Sequence, residues 1–206
     1  MSSLPSKVVY LVVHGKTIRE ENPSCYLLFL NFDPPLSRRG SLAVKELALY
    51  LKNNRDKCSI ILCSPFRACL DTASILSSIL NVKVIVEKDL CDFFSPERHE
   101  FEYFVGLKPL QIKIDYPQIL VPEGFPENWW PKWPEDKKDF LTRIYSVLHN
   151  APNKAILVTH KTVVEEILSL SDKKYQLLTI TFPSCFKIEL RNLREMRILR
   201  TYIHEG

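Results

Sequence analysis

None of the six cysteines pairs with another in a CxxC arrangement, and no stretch stays apolar for the roughly 20 positions that a membrane-spanning helix needs. The first absence disfavours a zinc site or a redox pair, and the second disfavours membrane insertion. Nor does the start, MSSLPSKVVYLVV, carry the long apolar core and small-residue cleavage site of a secretory signal. The chain is therefore expected inside the cell, cytoplasmic or nuclear. Cys25, Cys58, Cys63, Cys69, Cys91 and Cys185 are read as reduced, most of them core residues in apolar stretches such as IILCS and SCFKI. A large charge of one sign is missing too. The net +4 is too small to argue for nucleic acid, although it suits an anionic ligand. Arg191, Arg194, Arg197 and Arg200 recur at every third residue, a spacing that does not stay on one face of a strand.

What is present is a 206-residue chain, 46% hydrophobic and 25% charged, the composition of one folded domain rather than a disordered or fibrous one. Val8 to Val13 is continuously apolar, the pattern of a strand covered on both faces in a parallel sheet. SIILC (59–63), VKVIVEKDL (82–90) and Lys154 to Thr159 read as further strands, and TITFPSCFKIEL and MRILRTYI as a closing pair joined at RNLRE. Between them lie helices over Ser37 to Lys52 with Ser37 as N-cap, FRACLDTASILSSIL (66–80), Asp136 to His149 and Thr162 to Leu170. Residues 91–135 are dense in aromatics, with many prolines and no sustained period, and are expected as an insertion or lid over one end of the sheet. The alternation predicts an α/β three-layer domain over residues 1–206, with a mostly parallel central sheet flanked by helices.

Ligands in such sheets sit beyond the carboxyl ends of the strands. His14 ends the first strand, Ser64-Pro65-Phe66-Arg67 follows the second, Asp92 follows the third and His160 ends the fourth. His14-Gly15 after its strand, DPPLSRRG (33–40), SPFRACLDTA (64–73) and ILVTH (156–160) together resemble the histidine phosphatase superfamily, of phosphoglycerate-mutase-like fold. NFDPPLS and KPLQIKIDYP are most similar to the phosphatase domains of the ubiquitin-associated, SH3-containing Sts proteins, which raises a homodimer. The resemblance implies a phosphohistidine at His14, a phosphoryl clamp at Arg67 and charge stabilisation by His160, with no cofactor and no metal. Asp92 stands where the family usually has a glutamate that protonates the leaving oxygen.

The chain departs from this pattern at three places. Val13 replaces the arginine of the arginine-histidine-glycine motif, Thr17 stands where the Sts branch has another, and Lys161 follows His160 in place of a glycine. Lys16, Thr17 and Lys161 join Arg67 as the candidate phosphate-binding set, the lysines returning charge without the bidentate fork of arginine. The resulting expectation is a pseudophosphatase with a degraded phosphate pocket, binding a phosphate-containing ligand or a protein partner as a scaffolding module. The alternative is an active phosphatase acting on phosphate monoesters through His14. WWPKWPE (129–135) is expected to cover the core beneath the lid, with a docking surface as the other reading.

Overall fold

The computed structural model describes residues 6–23, 33–55, 57–169, 180–192 and 195–204. Cys25, Leu170, Thr179 and Arg194 lie outside them. The strands are β1 (Lys7–Val13), β2 (Ile61–Cys63), β3 (Val84–Val86), β4 (Ile119–Leu120), β5 (Ala155–Thr159), β6 (Ser184–Asn192) and β7 (Glu195–Ile203). They form one sheet in the order β4-β3-β2-β5-β1-β6-β7. The first five are mutually parallel, while β6 runs antiparallel to β1 and β7 antiparallel to β6. The helices are α1 (Ile18–Glu21), α2 (Arg38–Asn53), α3 (Arg67–Leu80), α4 (Pro109–Asp115), α5 (Lys137–Asn150) and α6 (Lys161–Ser169). The predicted α/β class with a mostly parallel central sheet flanked by helices is the observed one.

The uninterrupted apolar run of β1 has a direct physical cause. Side chains alternate across a strand, and both faces here are covered. Tyr10 and Val12 enter a core with Val44 and Leu47 of α2, Leu70 and Leu76 of α3, and Ile112 of α4. Val9, Leu11 and Val13 enter the opposite core with Phe140 and Ile144 of α5 and Val163 and Ile167 of α6. Each fully buried aliphatic or aromatic side chain is worth about 1.5–3 kcal/mol relative to exposure. Helix α2 starts as expected, its Ser37 side chain accepting from Gly40 N at 2.9 Å.

Residues 91–135, expected as an insertion or lid, hold regular structure of their own. They contain α4 and β4, and Ile112, Tyr116 and Ile119 belong to the first core. Seven helical residues and two strand residues are too short to show a period. The remainder surrounds a third, aromatic cluster of Phe66, Phe94, Phe101, Phe104 and Trp129 beside Cys91. Trp129 is buried and donates to Leu107 O at 2.8 Å, so it covers the core as expected. The segment is fastened by a buried ion pair. Arg143 of α5 donates to both carboxylate oxygens of Glu135 and to the carbonyls of Asp89, Cys91 and Asp92, while Glu135 also accepts from Phe94 N.

Candidate functional site

Register brings the two histidines together. Val13 of β1 is opposite Thr159 of β5, so the residues that follow, His14 and His160, leave the sheet side by side at its carboxyl edge. Their ring centroids are 5.3 Å apart in an edge-on arrangement. Cys63 of β2 is opposite Val158, which sets Ser64 beside His160, and Ser64 Oγ lies 2.9 Å from His160 Nε2. His14 Nδ1 lies 2.8 Å from Gly15 O. A carbonyl only accepts, so Nδ1 carries the proton, and in the neutral ring Nε2 is left with its lone pair. Gly15 permits this turn because a Cβ there would meet Val44 Cγ2 at 2.7 Å and Gly40 O at 2.9 Å.

Burial pushes the His160 ring down to about 3, against the pull of Asp92, so His160 is neutral near pH 7. For Asp92, burial alone raises the carboxyl. The His160 ring in its charged form, and at any pH the Arg98 guanidinium and hydrogen bonds from Thr162 Oγ1 and Phe93 N, outweigh it and hold Asp92 below the usual carboxylate range. A carboxyl so held has no proton to give near neutral pH, the opposite of what the proton-donor role needs.

The phosphate-binding set predicted from sequence is only partly brought together. His14, Thr17, Asp92, His160 and Lys161 line one cavity of about 690 Å³ at the carboxyl edge. Arg67 does not. It lines a neighbouring cavity of about 410 Å³ with Lys108, Leu110 and Ile114, and its guanidinium reaches Asp115 at 3.9 Å. The residue that the first turn of α3 presents to the main cavity is Ala68, because adjacent helical positions point about 100° apart. Lys16 is exposed and is no part of the cavity wall. Thr17 is spent on capping α1: its Oγ1 accepts from Glu20 N and donates to the Glu20 carboxylate, which also accepts from Thr17 N. Lys161 pairs with Glu165 at 3.7 Å. Val13 is fully buried against α5 and α6, outside the cavity wall.

Sequence reasoning missed Asp33 and Arg98. The Asp33 carboxyl sits at the amino end of α3, its Oδ1 accepting from Arg67 N at 2.7 Å, and burial pushes it up to about 7. Its segment, DPPLSRRG, was singled out, but the amide that it caps is 34 residues away, beyond any local signal. Arg98 lies in an aperiodic stretch and pairs with Asp92 and Glu100. Among the described residues the wall carries three cations, Arg19, Arg98 and Lys161, against five carboxyl groups, Glu20, Asp33, Asp92, Glu100 and Glu165. Arg19 lies 3.9 Å from Glu100, so each of the three cations has a carboxylate partner. No described group of three or more His, Cys, Asp or Glu side chains is placed to hold a metal ion. No described helix is long and apolar enough to cross a membrane.

In Saccharomyces cerevisiae, the transcription factor tau 55 kDa subunit is 26% identical to this chain over 140 residues, 64% of this chain and 32% of that protein. The chain thus spans about a third of the length of the curated relative it matches. Among solved structures, the ecdysone phosphate phosphatase EPPase from Bombix mori, in complex with tungstate, superposes with a TM-score of 0.68 at 15% identity, over 94% of this chain and 92% of that one. A phosphoglycerate mutase from Bacillus anthracis gives 0.63 at 18%, over 95% and 92%, and the protein histidine phosphatase SixA, with tungstate, 0.59 at 13%, over 95% and 96%. These likenesses concern the fold. The family model of the histidine phosphatase superfamily (branch 1) matches residues 9–192, from β1 with its terminal histidine to the end of β6, and the chain belongs to that superfamily.

Proposed function

We propose that this chain is a pseudophosphatase: a histidine-phosphatase fold whose phosphate site is closed by its own side chains, working as a binding or scaffolding module. One observation carries the reading. The amino ends of α3 and α6 both reach the cavity, and helix amino ends favour anions. Asp33 already accepts the Arg67 amide that opens α3, and Asp92 accepts the hydroxyl of Thr162 in the first turn of α6. The paired cations, neutral His160 and Ala68 at the helix turn support the same reading. Losing a single preorganised donor to a developing oxyanion costs about two to three powers of ten in rate. The yeast relative, named as a subunit of a transcription factor, supports a role within a protein assembly. The segments NFDPPLS and KPLQIKIDYP support a place beside the Sts phosphatase domains within the superfamily.

A second reading, an active phosphatase through His14, is favoured by the Nδ1 hydrogen bond to Gly15 O, which leaves Nε2 ready to attack phosphorus. Hydrolysis of p-nitrophenyl phosphate across pH by the native chain, beside His14→Ala and an Ala68→Arg, Asp33→Asn double variant, decides between them. The closed site gives a native rate equal to that of His14→Ala, and measurable phosphate binding only in the double variant. Native turnover that disappears in His14→Ala establishes the enzyme instead.

A further inference from the structure

One buried side-chain atom of the described residues is left without a partner at the main cavity, a carboxyl oxygen that is an acceptor once its group ionises above about pH 7. Among the described residues, Asp33 Oδ2 has no hydrogen-bond partner although Asp33 is only 4% exposed, and Asp33 forms part of the wall. Beside it in the wall, the His14 ring gives its Nδ1 proton to Gly15 O and in its neutral form presents Nε2 as an acceptor. A buried polar atom without a partner is costly, and what relieves the ionised carboxylate must bring a donor. An inorganic anion brings acceptors to acceptors.

Charge points the same way: among the described residues the wall carries five carboxyl groups against three cations, each already paired. So do the rings. Phe66 and Phe182 lie 4.6 Å from His160 and 5.1 Å from His14, centroid to centroid, and both line the cavity. Aromatic faces attract cations, and the cavity wall already has one such contact, with the Arg98 guanidinium 4.3 Å from the centre of the Phe101 ring.

We infer that this cavity holds an organic cation of side-chain size, a guanidinium or an ammonium, whose N–H groups donate to Asp33 Oδ2 and His14 Nε2. The inference rests on the reading of the same pocket as closed to phosphate. A volume of about 690 Å³ is within the range of small-molecule sites and admits an arginine with its flanking backbone. Two sources share this chemistry: an arginine or lysine presented by a partner protein, and a free polyamine.

The experiment is a titration of the isotopically labelled full chain by NMR, with Nα-acetyl-arginine amide, Nα-acetyl-lysine amide, spermidine and inorganic phosphate as separate probes. At least one cation is expected to give saturating shifts at the Gly15 and Phe182 amides and the His14 ring at concentrations up to about 50 mM. Tighter saturation by an amino-acid amide assigns the source to a protein side chain, and tighter saturation by spermidine assigns it to a free amine. Asp33→Asn is expected to weaken the cation about tenfold. This variant keeps Oδ1 for the Arg67 amide, and its unshifted signals outside the cavity report an intact fold. Equal affinity in Asp33→Asn overturns the inference. Silence from all three cations and from phosphate overturns the cation alone. Saturation by phosphate overturns both the cation and the closed pocket.

Discussion

Asp33 ties the stability of the molecule to pH. Burial, opposed by the Arg67 amide and guanidinium, puts its native carboxyl at about 7, above the ordinary value of 3.8. Between those values the native state holds a proton that the unfolded chain has released, so this group removes stability as pH rises from about 4 to 7. Asp33→Asn has no such proton. Its stability relative to the native chain is expected to grow over that window and level off above pH 7, by about 2–4 kcal/mol. Urea unfolding of both proteins at pH 5 and pH 8 checks this, and a difference that does not change with pH removes the explanation. His160 works in the opposite sense. Its unfolded ring takes a proton near pH 6.5 while the buried ring resists to about 3, so stability falls as pH drops through that interval. Ring signals of His160 are expected to stay in the neutral form from pH 8 to pH 5, and a midpoint within that range contradicts the burial argument.

Among the elements, the contact between α5 and the strand-to-lid loop is the most exposed to a single change. Removing one member of a buried ion pair leaves the other charge unpaired and costs about 3–5 kcal/mol. Arg143→Met also strands the carbonyls of Asp89, Cys91 and Asp92, so its loss in denaturant unfolding is expected at the upper end of that range. A loss below about 1 kcal/mol means that water replaces the guanidinium and that the loop is held by its aromatic cluster. A second tight contact lies where α2 meets the turn after His14. A Cβ on Gly40 would stand 2.0 Å from Lys16 O, a backbone atom that a side-chain rotation cannot move away. Gly40→Ala is expected to lower stability by about 1–3 kcal/mol or more. Because the displaced backbone leads directly to His14, the His14 ring signal should move as well. An unchanged melting temperature and an unchanged His14 signal would show that α2 slides to make room.

Across the whole molecule, what could be read from sequence follows how locally each feature is encoded. The strand of Val8 to Val13 was legible because two cores, each reached by every second residue, leave no polar position in it. His14 and His160 were legible because each ends such a run. Arg67 was misread: SPFRA places a cation and an alanine on consecutive positions of one turn, and only the seating of α3 decides which faces the cavity. Asp33, whose amide partner is 34 residues away, and Arg98, in a stretch without period, depend on tertiary placement and left no signal. That placement has a consequence for how such a site responds to its surroundings. A carboxylate carried by the chain is a tethered competitor, present once per molecule at an effective concentration that runs from millimolar for loose tethers to far above any soluble value for rigid ones. Held 2.7 Å from a helix amide, Asp33 belongs toward the rigid end. On the proposed reading, dilution does not remove it and added phosphate competes poorly with it, so occupancy of the amino end of α3 is expected to follow pH, through the Asp33 proton, and substitution at position 33 rather than the phosphate content of the solution.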